Sequence, residues 1–475
     1  MLVALWGRRK VAGLASDTID RRRVGWLGWV LRLFGGLALL AVLAFGALFA
    51  VYAFSVLPQE KAEQRREAAF ARLTGPARRL AIYDTFVAQV DQHYYDQQFS
   101  GFDWPKLKRE WRARAATARD DQLLYTDVFV QVAQTFPASH VTVFMAPDPP
   151  RGPAAPTQPA GAITPPCSPR DMGMQFVQIR RSRGVPYVVG EVWPGSPAAG
   201  AGVSPGWVVE PPWTITDSVD HGKFKAVFFT LEPAEMHRFE ATVDLALPTS
   251  VRNPAQAQSF PDARRRRIEL NYSCGAPDLP FETRRLAGGA RYIRFDAFQP
   301  AVVDQVKAAL GQADQHGVVL DLRSNPGGYP LLALNALLPP RQLVFFERDA
   351  KGLHPRSTDS STRPYEGPLA VLIGPGSMSA AEITAAALKR AGRAILIGRR
   401  TNGSVLSSRT FALPDGGQVQ LPVSDVLTPD RQRLEGVGVA PDIEVYPTAT
   451  EIQAGRDPAL ERAEQALQAV PHGGR

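Results

Sequence analysis

Two stretches decide the fold: VVLDLRSNPGG at residues 318–328 and LAVLIGPGSMSAAEITAAALK at residues 369–389. Each opens with an apolar run too short for a buried helix, and each run ends in a turn rich in glycine, proline and small polar residues. The second turn leads into a helix from about Ala380 to Lys389. Strands at Ala290–Phe295 and Ala394–Ile397 and an amphipathic helix over Val302–Gln315 flank them. Alternating strands and helices imply an α/β core. In such sheets ligands gather beyond the carboxyl ends of the strands, where both glycine-rich turns fall. Ser379 at a strand-to-helix turn holds its hydroxyl at the tip, beside backbone N–H groups able to stabilise an oxyanion. Gly327 and Gly328 let backbone approach a substrate without interference from a Cβ. A serine in this place is also an ordinary helix cap. Neither turn matches a nucleotide loop, since GxxxxGK[ST] and GxGxxG are both absent.

Working outward, residues 170–275 are strand-rich, broken by PGSPAAGAGV at 194–203. There Ser196 is placed to cap a short helix with Pro197 at its first position. The run Arg264–Arg267 reads as a charged sheet edge rather than an anion site. Nine prolines in 147–169 make a stiff linker. Residues 60–146 carry helical spacing, with Leu80, Tyr83, Phe86, Val87 and Val90 on one face and Asp103 before a helix through about Arg114. A last amphipathic helix spans Asp457–Val470.

The 475 residues carry a formal charge of +8. Residues 1–57 hold seven basic side chains (Arg8, Arg9, Lys10, Arg21, Arg22, Arg23, Arg32) against two acids, Asp17 and Asp20. Most of the excess therefore lies at the N-terminus, and the remainder gives no reason to invoke nucleic acid. Leu33–Leu57 is a run of 25 uncharged residues. As a helix at 1.5 Å per residue it reaches about 37 Å, enough to cross a bilayer. The basic flank then predicts a single-pass anchor in the inner (plasma) membrane, with residues 1–32 in the cytoplasm and the body periplasmic or extracellular. A cleaved signal peptide and a buried core helix are the alternatives. In an oxidising compartment the two cysteines, Cys167 and Cys274, are expected to form a disulfide closing the base of the strand-rich segment. Two unrelated thiols are the bland alternative. So few cysteines exclude a disulfide-dense scaffold and a cysteine-built zinc site, and neither metal nor cofactor is called for.

The order and wording of these turns resemble the C-terminal processing peptidases, tail-specific serine proteases, and their relatives in the tricorn core protease group. The resemblance rests on Tyr292-Ile293-Arg294-Phe295, residues 319–328, Gly376-Ser377-Met378-Ser379-Ala380-Ala381-Glu382, Leu396-Ile397-Gly398 and Gly438-Val439-Ala440-Pro441-Asp442-Ile443, all in family order. It covers roughly residues 80–470. It implies a crotonase-like α/β protease core with a mixed sheet (280–448), an inserted, mainly-β PDZ-like domain (170–275), an N-terminal helical domain (60–146) and a C-terminal helical tail (449–475). Gly173 and Met174 then match the loop that takes a peptide's terminal carboxylate. Gly206-Trp207 departs from the usual Gly-Asp.

The family's nucleophile falls on Ser379. Its usual general-base lysine does not fall on a lysine: Ser404 stands there, and no lysine follows Lys389. A serine hydroxyl accepts no proton near neutral pH, and Arg399, Arg400 and Arg409 stay protonated, so a Ser–Lys dyad is excluded. The tricorn-like members use a Ser–His–Ser–Glu tetrad instead, which the resemblance carries onto Ser379, His140, Ser139 and Glu435. His140 takes the proton of Ser379 and returns it to the leaving amine; Ser139 and Glu435 orient it. The N–H groups of Gly327 or Gly328 and of Ala380 supply the oxyanion hole. Glu382 reads as an anchor for the helix start, and His93 as a packed or surface residue. The implied activity is a serine endopeptidase acting near the C-termini of exported or misfolded proteins. A PDZ-bearing adaptor without activity and a non-peptide acyl hydrolase are the rivals.

Overall fold

The computed structural model describes residues 57–99, 101–145, 172–178, 187–217, 221–230, 264–273, 281–359, 361 and 363–469. The chain divides into two compact units, Met1–Leu73 and Thr74–Arg475. In the first, the described residues form one helix, α1 (Leu57–Phe70), whose sequence LPQEKAEQRREAAF is strongly charged. Among the described residues no helix is long and apolar enough to cross a membrane. The single-pass anchor and the periplasmic placement drawn from it are therefore corrected. Leu57 opens the charged helix α1, and residues 33–56 lie outside the described residues. So do the expected cytoplasmic segment 1–32, the proline-rich linker 147–169, and both Cys167 and Cys274.

The second unit opens with helices. These are α2 (Gly75–His93), α3 (Trp104–Thr117) and the short α4 (Asp121–Leu123), which runs through a π-helical turn at Leu124–Phe129 into α5 (Val130–Thr135). Asp103 caps α3, accepting from the N–H of Lys106 at 2.9 Å. Ile82, Tyr83, Phe86 and Val90 form the buried face of α2. Strand β1 (Thr142–Phe144) follows and leads to the inserted sheet. That sheet holds β2 (Met174–Gln178), β3 (Tyr187–Val192), β4 (Val208–Asp217), β5 (His221–Thr230) and β6 (Arg264–Ser273) in simple antiparallel order. Between β3 and β4 lies α6 (Pro197–Gly200), capped by Ser196, whose hydroxyl accepts from Ala199 N–H at 3.2 Å. The arginine run falls on β6, an outer strand, with Arg266 and Arg267 exposed.

The α/β core comprises β7 (Glu282–Arg285), β8 (Arg291–Arg294), α7 (Pro300–Leu310), β9 (Val318–Asp321) and α8 (Pro330–Leu337). It continues through β10 (Leu343–Asp349), β11 (Gly352–Ser357), β12 (Leu369–Ile373), α9 (Ala380–Arg390) and β13 (Ile395–Gly398). Next come β14 (Ser407–Ala412), β15 (Gln418–Leu427), β16 (Ile443–Glu444), α10 (Ala449–Gln453) and α11 (Pro458–Gln468). Helix α7 starts at Pro300 and stops at Leu310, earlier at both ends than the periodicity predicts. Pro300 suits the first helical turn, and Gly311 with a following turn ends it.

Six strands form one sheet in the order β16-β13-β12-β9-β8-β7, parallel except for the outer β7. Side-chain alternation divides its strands between two cores. Leu369, Val371 and Ile373 of β12 join the cluster that includes α7, α8 and α9, while Ala370 and Leu372 face Ala459, Ala463 and Leu467 of α11. A second sheet runs β1-β15-β10-β11, with β14 also on β15. The inserted sheet is tied to the core by Arg294 of β8, whose guanidinium donates to both carboxylate oxygens of Glu191 on β3 at 2.8 and 2.9 Å.

Candidate active site

Ser379 follows the turn after β12 and precedes α9. Its backbone lies at φ 50, ψ −117, a region that favours glycine. His140 lies at φ 64. Among the described residues only five non-glycine residues have positive φ: Phe99, His140, Arg341, Ser379 and Arg431. Such strain persists only where surrounding contacts hold it, and it gathers at functional sites. At Ser379 the hold is visible. Its N–H donates to the Ser404 carbonyl at 2.8 Å and to Glu382 Oε2 at 3.2 Å. Glu382 is fully buried and also accepts from Thr401 Oγ1, Gly403 N–H (2.6 Å) and Ser404 N–H (2.8 Å). Burial pushes its carboxyl above the ordinary value against these donors. The carboxylate thus locks the helix start to the 401–404 loop.

Ser139, His140 and Glu435 meet, although 296 residues separate the serine from the glutamate. Ser139 Oγ lies 2.7 Å from His140 Nδ1 and donates to Glu435 Oε2 at 3.0 Å. The N–H of Ser139 donates to Glu435 Oε1 at 2.8 Å. Since that hydroxyl spends its one proton on the carboxylate, it accepts from Nδ1–H, which leaves Nε2 as the basic nitrogen. Burial lowers the His140 pKa below its ordinary value, and the Glu435 charge pulls it partly back. The imidazole is accordingly neutral near pH 7. The hydrogen bonds of the described residues include none between Ser379 and His140. A two-residue segment joins their surroundings: Ser404 accepts from Ser379 N–H, and Val405 N–H donates to Glu435 Oε2 at 2.8 Å.

The glycine turn lies beside Ser379. A Cβ on Gly327 would stand 2.7 Å from Ser379 Cβ and 3.1 Å from the Ala380 nitrogen. Of the two glycines expected as alternative oxyanion donors, Gly327 has its N–H engaged, donating to Asn325 Oδ1 at 2.9 Å. Gly328 makes a parallel bridge with Phe298, in which Phe298 bonds Gly327 and Tyr329. The N–H of Gly328 therefore points away from Phe298, and among the described residues neither it nor Ala380 N–H has a protein acceptor. Asn325, which sequence reasoning passed over, holds the turn: its Nδ2 donates to the Phe295 carbonyl at 3.0 Å. The SNPGG wording was the available signal.

Ser404 bonds Asn402 through its hydroxyl, and Lys389 Nζ is committed to the Ala440 carbonyl and Asp442, each at 2.8 Å. No lysine among the described residues replaces the missing base. His93 stacks on Phe411 with ring centroids 4.2 Å apart, in a packing role. At the inserted sheet, Gly173 is pressed against Ser196, where an added Cβ would come within 1.9 Å of the serine Cβ. Its carbonyl accepts from Trp193 N–H (2.8 Å) and Ser196 Oγ (3.2 Å), and Met174 is buried. A cavity of about 910 Å³ runs between β2, the ends of β9 and β12, and α11. Met174, Phe176, Trp193, Ser324, Pro326 and Met378 contribute to its wall. The described residues hold no cluster of metal-ligating side chains.

The carboxyl-terminal-processing protease of Synechocystis sp. is 32% identical over 156 residues, which are 32% of this chain and 36% of that protein. The chloroplastic C-terminal processing peptidase of Tetradesmus obliquus is 26% identical over 379 residues, 75% of each chain. The solved photosystem II D1 C-terminal processing protease aligns with a TM-score of 0.49 at 19% identity, over 83% of this chain and 98% of that one. The chain thus spans about a third of the length of the Synechocystis relative it matches. Residues 290–445, which carry β8 to β16, Ser379 and Glu435, match the model of Peptidase family S41.

Proposed function

We propose that this protein is a serine endopeptidase that cleaves protein substrates near their C-termini through an acyl-enzyme on Ser379. His140 Nε2 removes the hydroxyl proton as Ser379 attacks the carbonyl, and later passes it to the leaving amine. Ser139 and Glu435 fix the tautomer and stabilise the imidazolium. Gly328 and Ala380 N–H groups receive the oxyanion, with Gly327 as the spacer that lets them approach. The PDZ-like segment at 170–275 supplies the grip on a substrate tail by strand addition along β2, an outer strand of its sheet. The observation that carries this reading is the Glu435–Ser139–His140 relay, assembled in a chain that lacks the family lysine.

The test is digestion of unfolded casein by the full chain, with fragments read by mass spectrometry. The reading expects cleavage by the wild type and none by Ser379→Ala or His140→Ala. Casein bound but uncut by the wild type and both variants alike would favour a tail-binding adaptor instead.

A further inference from the structure

We infer that Arg433 and Tyr95 are positioning residues that bring the two halves of the relay into register; the inference rests on the relay just proposed. Ser139 and His140 belong to the N-terminal helical part, Glu435 to the segment after β15. Nothing local in the sequence makes them meet. The Arg433 guanidinium is one of the groups that span the seam. Arg433 Nε donates to Asp425 Oδ2 at 3.0 Å, and Arg433 Nη2 donates to Tyr95 Oη at 3.0 Å. Tyr95 is in turn fixed to β15, its N–H donating to the Pro422 carbonyl at 2.9 Å.

Both ends of this link abut the relay. On one side, Tyr94 is buried and meets the Phe136 ring edge-on at 5.2 Å, and Phe136 ends α5 three residues before Ser139. On the other, Arg433 pairs with Leu427 in an antiparallel bridge and stands two residues before Glu435. Asp425 anchors the system: its side chain has no solvent exposure, and its Oδ2 also accepts from Arg348 Nη2 at 2.7 Å. The Arg433 side chain is itself 44% exposed, so an ion pair there adds little to stability in general. Its fork geometry is what the site uses, since one planar group serves an acid and a phenol at once. A lysine ammonium lacks that fork.

Labelling of the full chain with a fluorophosphonate probe tests this. The limiting labelling rate and the half-saturating probe concentration are measured well below the unfolding temperature of each variant. Arg433→Lys and Tyr95→Phe should each lower the limiting rate about tenfold, the scale of a small misplacement of a catalytic group, with half-saturation unchanged. The double variant should label no more slowly than Arg433→Lys, because both remove one contact. Wild-type rates in both single variants would overturn the proposal. So would rates that multiply in the double variant, or a slow Arg433→Lys beside a normal Tyr95→Phe, which would assign the loss to Asp425 alone. A wild type that takes up no probe would instead bring down the relay itself, and this inference with it.

Discussion

His140 combines a left-handed backbone with a half-buried ring, and both features bear on its chemistry. Burial is the larger influence on its pKa and lowers it, while the Glu435 charge raises it. The neutral base is therefore the dominant form at pH 7. Phosphonate labelling should fall as pH drops through the His140 pKa, with a midpoint below 6.5. Glu435→Gln removes the opposing charge, so the midpoint should move lower still while the rate drops; an unmoved midpoint in a pH–rate profile would contradict the relay. Gly327 gives a second residue-scale prediction. It stands at φ 125 with Ser379 Cβ 2.7 Å from where its own Cβ would be, so Gly327→Ala should abolish labelling. The meeting of Ser139, His140 and Glu435 was legible from motif positions. The engagement of Gly327 N–H by Asn325 was not, because it depends on how the turn folds back on itself.

At the scale of elements, α9 is buried from Ala380 to Leu388, which its alanine-rich sequence allows by close packing against β12 and α8. One carboxylate secures its start. Glu382→Ala would leave the Gly403 and Ser404 N–H groups and the Thr401 hydroxyl without their acceptor, while Ser379 N–H keeps the Ser404 carbonyl. A loss of about 3–5 kcal/mol is expected in urea unfolding. A loss under about 1 kcal/mol would show that water replaces the acceptor. The strands of the parallel sheet were readable from short apolar runs, and the helix starts from Asp103 and Ser196. The ends of α7 were not, since helical periodicity continues past Leu310 into a turn that Gly311 and the approach to β9 impose. The expected anchor helix fails on a different ground: no described helix is apolar and long enough to cross a membrane, and hydropathy of the 33–57 run alone does not place one.

Across the whole second unit, the proposed site depends on joining parts remote in sequence. The inserted sheet meets the core through Arg294 and Glu191, and the glycine turn after β9 lies close by, with Ser324 Oγ 3.4 Å from Arg294 Nη2. Glu191 is 37% exposed, so Glu191→Gln should cost no more than about 1 kcal/mol in stability. Its clearer sign is expected to be faster limited proteolysis within the inserted segment. Asp321 makes the core sensitive to acid. Burial raises its carboxyl, but Arg323 and Arg294 overcome this and bring it down to about 2. Its contribution to stability is full above pH 4 and lost as pH falls towards 2, a dependence that Asp321→Asn should remove. The central claim, nucleophilic catalysis at Ser379 with His140 as base, is tested most directly by mapping a fluorophosphonate adduct on the full chain by mass spectrometry. The account predicts an adduct on Ser379 in the wild type and none in His140→Ala; an unlabelled wild type, or a His140→Ala variant labelled as fast, would contradict it.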